Sequence, residues 1–270
     1  MAEDLAKALP AAAKPRAARR RHHALRGRFL VAYVALGLIG GAAVAGAFVL
    51  FTQVERNSGG DWATWHPVGD NATYGQQIAD HVGRRYRLPS GDQLVGVVAG
   101  PPTFQTAEAL LEVRAVLIRS LNVNATPDIH ALPTDETYMY QLCGLGDFCR
   151  VPGQTTEERH RLLRREALEL ALYTFKYVDD VKQVIALLPP KNAEQAPNAV
   201  YLEKDDLETE LDRPLAETIG RPEAPTLVEV PELETVRVDR LTLPFVFDYT
   251  FEPLPNASAG LILTPVKPAG

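Results

Sequence analysis

The longest apolar run in the chain, Phe29 to Phe51 (FLVAYVALGLIGGAAVAGAFVLF), contains no charged residue. At about 1.5 Å of rise per residue such a helix covers roughly 35 Å, enough to cross a bilayer core of about 30 Å. One membrane span is therefore predicted, followed by a folded domain. Trp62 and Trp65 could sit in an aromatic belt at the lipid interface, but their distance from Phe51 favours reading them as the first apolar anchors of that domain. Tyr74, Ile78, Val82 and Tyr86 recur every four residues and predict an amphipathic helix over 74–87. Gln93–Ala99 reads as a buried strand stopped by Gly100-Pro101-Pro102, and 112–119 as another. Asp128–Leu132 and Thr137–Leu142 flank Pro133-Thr134-Asp135-Glu136, the pattern of a hairpin.

The clearest element is a helix from about Thr156 to Val178. Thr155 with Glu158 fits a capping box, and Glu157 to Arg161 is an i,i+4 pair in the favourable order. The stretch ALELALYTF, Ala167 to Phe175, is apolar on most faces, so this helix should be packed on more than one side. Strands are expected at Gln183–Leu188 and Ala199–Glu203, and Asp205 or Asp206 could cap a short helix towards Leu211. Residues 220–235, rich in Pro and Glu, should cross the surface. Alternation then predicts strands at Val236–Leu243, Phe245–Phe251 and Gly260–Thr264. Together these give an α+β chain: a basic cytoplasmic tail (1–28), a transmembrane helix (29–51), a stalk (52–73) and one mixed α+β extracytoplasmic domain with a long central helix (74–270).

Charge orients the span. Residues 1–28 carry a net +6, which leaves −12 for the rest of a chain whose total is −6. Arg19, Arg20, Arg21, Arg26 and Arg28 precede the span closely, and only Arg56 follows it closely. The positive-inside rule puts the N-terminus in the cytoplasm and Thr52 onward outside a cell membrane. A body this acidic argues against nucleic acid as a partner. The expected partners are the lipid bilayer and another envelope protein or a cell-wall component. Gly37 and Gly41 form a GxxxG pattern that permits close helix–helix contact and a homodimer through the span, although Gly and Ala are common in spans generally. Ala45-Gly46-Ala47 resembles a signal-peptide cleavage site, but the apolar sequence runs on through Phe48–Phe51.

VAGPP at 98–102, the run Cys143-Gly-Leu-Gly-Asp-Phe-Cys149, RLLRREALELALYTFKY at 161–177 and LLPP at 187–190 resemble uncharacterised single-span membrane proteins of actinobacterial type. The resemblance covers roughly residues 90–215. It implies an envelope protein and brings no activity, cofactor or site residue with it.

Cys143 and Cys149 are the only cysteines. An extracytoplasmic compartment permits a disulfide. A bridge here would close a seven-residue loop that two glycines relax, worth about 2.4 kcal/mol by chain entropy. A redox pair or a metal site fits less well, because the spacing is not C-x-x-C. No cofactor fingerprint, calcium-loop spacing or nucleophile motif occurs. Asp80 and His81 are adjacent, so on a helix their side chains diverge by about 100° and form no orienting pair. Arg164-Arg165 could meet an acidic headgroup; a solvated or salt-bridged pair is the plainer reading, with Glu169 four residues after Arg165. Two functions follow: a tethered binding or assembly module, or an extracytoplasmic enzyme whose site gathers distant residues such as Asp61, His66 and His160.

Overall fold

The computed structural model describes residues 62–105, 109–119, 129–146, 149–153, 155–190, 197–220, 230–255 and 257–266. The predicted span with Phe29, Gly37, Gly41 and Phe51 lies outside them, as does Asp61. Among the described residues no helix is long and apolar enough to cross a membrane.

The fold is mixed α+β, with several helices on one sheet. Helix α1 (Asn71–Gly83) is followed by β1 (Gly96–Ala99), β2 (Thr103–Gln105), β3 (Leu110–Arg119), β4 (Ile129–Leu132) and β5 (Thr137–Cys143). The long α2 (Glu157–Tyr177) leads to β6 (Gln183–Leu187) and β7 (Asn198–Glu203). Short helices α3 (Glu208–Leu211) and α4 (Leu215–Ile219) precede α5 (Glu232–Thr242), β8 (Val246–Leu254) and β9 (Ser258–Pro265). The sheet order is β1-β5-β6-β7-β8-β9-β3-β2, with β4 also on β3. The β5–β6 and β9–β3 pairs are parallel; the other pairs are antiparallel. Antiparallel neighbours can be joined by tight turns, whereas a parallel pair needs a long crossover. Helix α2 is that crossover between β5 and β6.

Strand alternation sends side chains to two separate cores. Val184 and Ala186 of β6 join the helices; Ile185 and Leu187 face the other way. All five helices contribute buried residues to the first core, α2 most of all, through Leu162, Leu168, Leu170, Leu172 and Phe175. The second core, around Val116, Ile185, Leu261 and Leu263, draws its buried residues from strands alone. Trp62 is in the first core, edge-on to Tyr173 and Tyr177 at 5.4 and 5.9 Å, as its reading as an apolar anchor expects. Helix α1 lies close on the sheet: a Cβ at Gly75 would stand 1.7 Å from the Tyr138 hydroxyl, so a side chain there would displace the Tyr138 ring.

Several expectations are corrected. Residues 236–243 are helical, not a strand. Their alternation was misleading, because burial follows Glu234, Val238, Leu241 and Thr242, a helical spacing, while Val236 is exposed. The 128–142 region is no hairpin, since β4 pairs with β3 while β5 pairs with β1 and β6. Helix α1 starts and stops three to four residues earlier than predicted, because Asp70 caps it by accepting from the Thr73 N–H at 3.2 Å. The cap of α2 is Thr156, which accepts from the Arg159 N–H, and not Thr155. Neither Asp205 nor Asp206 caps a helix; both lie inside a 3₁₀ turn, Asp205–Leu207. Arg161 pairs with Asp239 across to α5 and not with Glu157.

Candidate functional site

The parallel β5–β6 pair and its crossover create a crevice at the strands' carboxyl ends, the place where ligands characteristically bind beside parallel strands. Strand β5 ends at Cys143, which is bridged to Cys149 with a Cα separation of 4.5 Å. The bridge folds the loop back on itself. The Gly144 N–H donates to the Cys149 carbonyl at 2.8 Å, and the Gly146 N–H to the Arg150 carbonyl at 2.9 Å. A Cβ at Gly144 would meet the Arg150 carbonyl carbon at 2.3 Å, so the turn requires a glycine. The disulfide predicted from sequence is thus present, and Leu145 of the loop it closes, with Pro152 and Gly153 just beyond, borders the crevice.

The facing wall is the turn at 88–93. The Leu88 N–H donates to the Asp92 carbonyl at 2.8 Å, the Gly91 N–H to the Leu88 carbonyl at 2.8 Å, and the Ser90 hydroxyl to the Asp92 carboxylate at 2.8 Å. The first turn of α2 supplies the floor. Between them lies a groove of about 360 Å³, bordered by Leu88, Leu145, Pro152, Asp92 and Arg159. A second space of about 20 Å³ continues behind Arg159 towards Pro189 and Pro190. It is large enough for about one water molecule.

Arg159 belongs to both spaces, and its environment is unusual for this helix. Its Nε is buried without a hydrogen-bond partner, and Nη1 reaches the Val151 carbonyl only at 3.5 Å. Burial lowers its pKa. Among the described residues it has no carboxylate partner, in contrast to the other arginines of the helix. Arg164 donates to Asp239 and Thr242, both at 2.6 Å. Arg165 holds Glu234 through Nε at 2.5 Å, Tyr86 at 2.6 Å and the Ile219 carbonyl at 2.9 Å, with Glu169 at 3.6 Å. Glu169 in turn accepts from Arg85 and Tyr86, both at 2.7 Å. The pair Arg164-Arg165 is therefore salt-bridged but fully buried, not solvated. Next to it, Glu166 is buried with neither carboxyl oxygen hydrogen-bonded. Burial, then the Glu169 charge, raise its pKa well above the usual range against the opposing pull of Arg165, which favours the protonated acid.

The chain matches no family model, no curated protein and no solved structure. A guanidinium offers five donors in a planar fork suited to carboxylates and phosphates. The first turn of a 21-residue helix adds the favourable end of the helix dipole.

The histidines proposed for an enzyme do not converge. The exposed His66 lies beside Tyr177, ring centroids 6.5 Å apart, at the C-terminal end of α2. His160 is buried in its first turn, seventeen residues before Tyr177, or about 25 Å along the axis. His81 stacks on Trp65 at 3.9 Å, and Asp80 turns away to Gln76 and Arg84, as expected of adjacent helical residues. Burial foremost, then Arg85 and Arg84, lower the His81 pKa to about 4, which keeps the ring neutral. Among the described residues no group of three or more His, Cys, Asp or Glu could hold a metal ion.

The groove itself was missed in the sequence. Its residues come from segments more than fifty positions apart, which no local pattern links.

Proposed function

We propose that this chain is a membrane-anchored cell-envelope protein whose outer α+β domain is a binding module, with the groove at Arg159 as its ligand site. The hydropathy of Phe29–Phe51 and the charge asymmetry around it support the anchor and its orientation. The resemblance to single-span proteins of actinobacterial type agrees with that placement. One observation carries the binding function: a half-buried arginine without an acid partner borders an open groove, on a helix whose other arginines are all neutralised by the fold. Leaving a cation partly desolvated and unpaired is unfavourable unless something else pairs with it. The separation of His66 from His160 weighs against the enzymatic alternative.

Two measurements test this reading on the full chain. The native cysteines are bridged, so single cysteine reporters can be read alone. A reporter before Arg19 should resist an impermeant thiol reagent in intact cells, and one at Asn57 should react; the opposite pattern would remove the topology. Capture from solubilised membranes should recover a component with the wild-type chain and lose it with Arg159→Gln. Equal recovery by both chains would remove the groove from the binding function.

A further inference from the structure

The walls of the groove also restrict what it can bind. Arg159 brings one positive charge, and Asp92 brings a negative charge on the facing turn, fixed by the Ser90 hydroxyl at 2.8 Å. Among the described residues neither Arg159 nor Asp92 makes an ion pair, so both charges can meet a ligand. Between them the surface is apolar, formed by Leu88, Leu145 and Pro152; Leu145 is 64% exposed, a large aliphatic side chain presented to solvent at the rim. A volume of about 360 Å³ is at the small end of ligand sites and suits a molecule of two to four residues.

We infer that the groove takes a short peptide with free termini, its carboxylate on Arg159, its ammonium towards Asp92 and its side chains on the apolar walls. This rests on the reading of the groove as a ligand site and names its substrate class. A carboxylate is planar and monoanionic and matches the guanidinium fork in two parallel hydrogen bonds. A phosphate dianion fits poorly, because a single cation would have to neutralise it while Asp92 repels it within one Debye length. The disulfide serves this geometry by holding Leu145 at the rim.

The test is calorimetric titration of the full chain in detergent micelles with the tripeptide Ala-Leu-Ala, its C-terminal amide, its N-acetyl form, and inorganic phosphate. The free tripeptide should bind saturably. The amide should bind at least tenfold more weakly, since it forfeits a charge-assisted, bidentate contact. The N-acetyl form should bind a few-fold more weakly, because Asp92 is exposed to solvent. Arg159→Gln should reproduce the loss seen with the amide while the thermal midpoint stays unchanged, and Arg159→Lys should restore part of the affinity. Asp92→Asn should erase only the preference for the free amine. Equal affinity for peptide and amide, or displacement of the peptide by equimolar phosphate, would overturn the peptide assignment and leave the groove as a site for another ligand. Absence of saturable binding by every probe up to millimolar concentration would overturn the peptide assignment together with the site.

Discussion

Arg159 and Arg165 lie six residues apart on the same helix, and the fold treats them in opposite ways. Arg165 is 1% exposed, and each of its nitrogens meets an acceptor: Glu234, Tyr86 and the Ile219 carbonyl. Arg159 is partly exposed, has an unpaired Nε, and borders a groove. Residue type and helical propensity are the same in both. What differs is whether a tertiary neighbour supplies the acid. For Arg165, α5 and α4 close over the helix and do so; for Arg159, the crevice at the ends of β5 and β6 remains open. A structural cation brings its counter-charge with it, and a binding cation waits for one. This difference is measurable.

The largest effect should come from breaking the buried side. Arg165→Leu would leave Glu234 as a buried carboxylate without its counter-charge, while Glu169 would keep Arg85, and the cost should be about 3–5 kcal/mol. Chemical denaturation of the purified chain would show it as a lower midpoint. A loss below about 1 kcal/mol would mean that the network is less tightly coupled than its distances indicate. Removing the bridge with Cys143→Ser comes next, at about 2 kcal/mol from the loop it closes. It should also weaken peptide binding, because Leu145 is no longer held at the rim.

Two pH effects sharpen the same contrast. Glu166 has a raised pKa in the fold, so the folded state holds a proton that the unfolded state releases. Its contribution to stability is complete below the ordinary carboxyl pKa and declines as pH rises above it. Glu166→Gln should flatten that decline and stabilise the chain at neutral pH; an unchanged pH profile would place the Glu166 carboxyl in contact with water. His81 acts in the opposite sense. Its pKa is lowered from 6.5 to about 4, so its contribution is complete above pH 6.5 and is lost as pH falls towards 4. The ring is only half-buried, so solvent weakens this effect, and His81→Gln should remove a small acid-side slope.

Much of this architecture could be read in the sequence, but unevenly. The long helix, the strands at 112–119 and 183–187, the core position of Trp62 and the Cys143–Cys149 bridge each rest on local chemistry: apolar period, alternation, or two thiols separated by a loop able to turn back. Helix α5 was hidden by an alternation that imitates a strand, although Pro231 followed by acidic residues at 232 and 234 is a helix-start signal. The false hairpin at 128–142 arose because sequence adjacency says nothing of β5's true neighbours, β1 and β6. The buried charges were misread because an i,i+4 pair looks alike on a solvated face and in a core. The apolar girdle of Ala167–Phe175 gave the clue: a helix enclosed all round must also bury the charges one turn earlier. The groove depends on that tertiary closure, so it became visible only with the fold.

The most direct measurement sets Arg159→Gln beside Arg165→Leu in the same preparation of the full chain, recording the thermal midpoint and the affinity for Ala-Leu-Ala. Arg159→Gln should lose at least tenfold in affinity with its stability within about 0.5 kcal/mol of wild type, as befits a change outside the buried ion-pair network. Arg165→Leu should lower the midpoint severely. A contradictory result is equally plain: if Arg159→Gln lowered the midpoint as far as Arg165→Leu does and the peptide affinity did not change, Arg159 would be a structural brace for the disulfide loop and the groove would have no binding role.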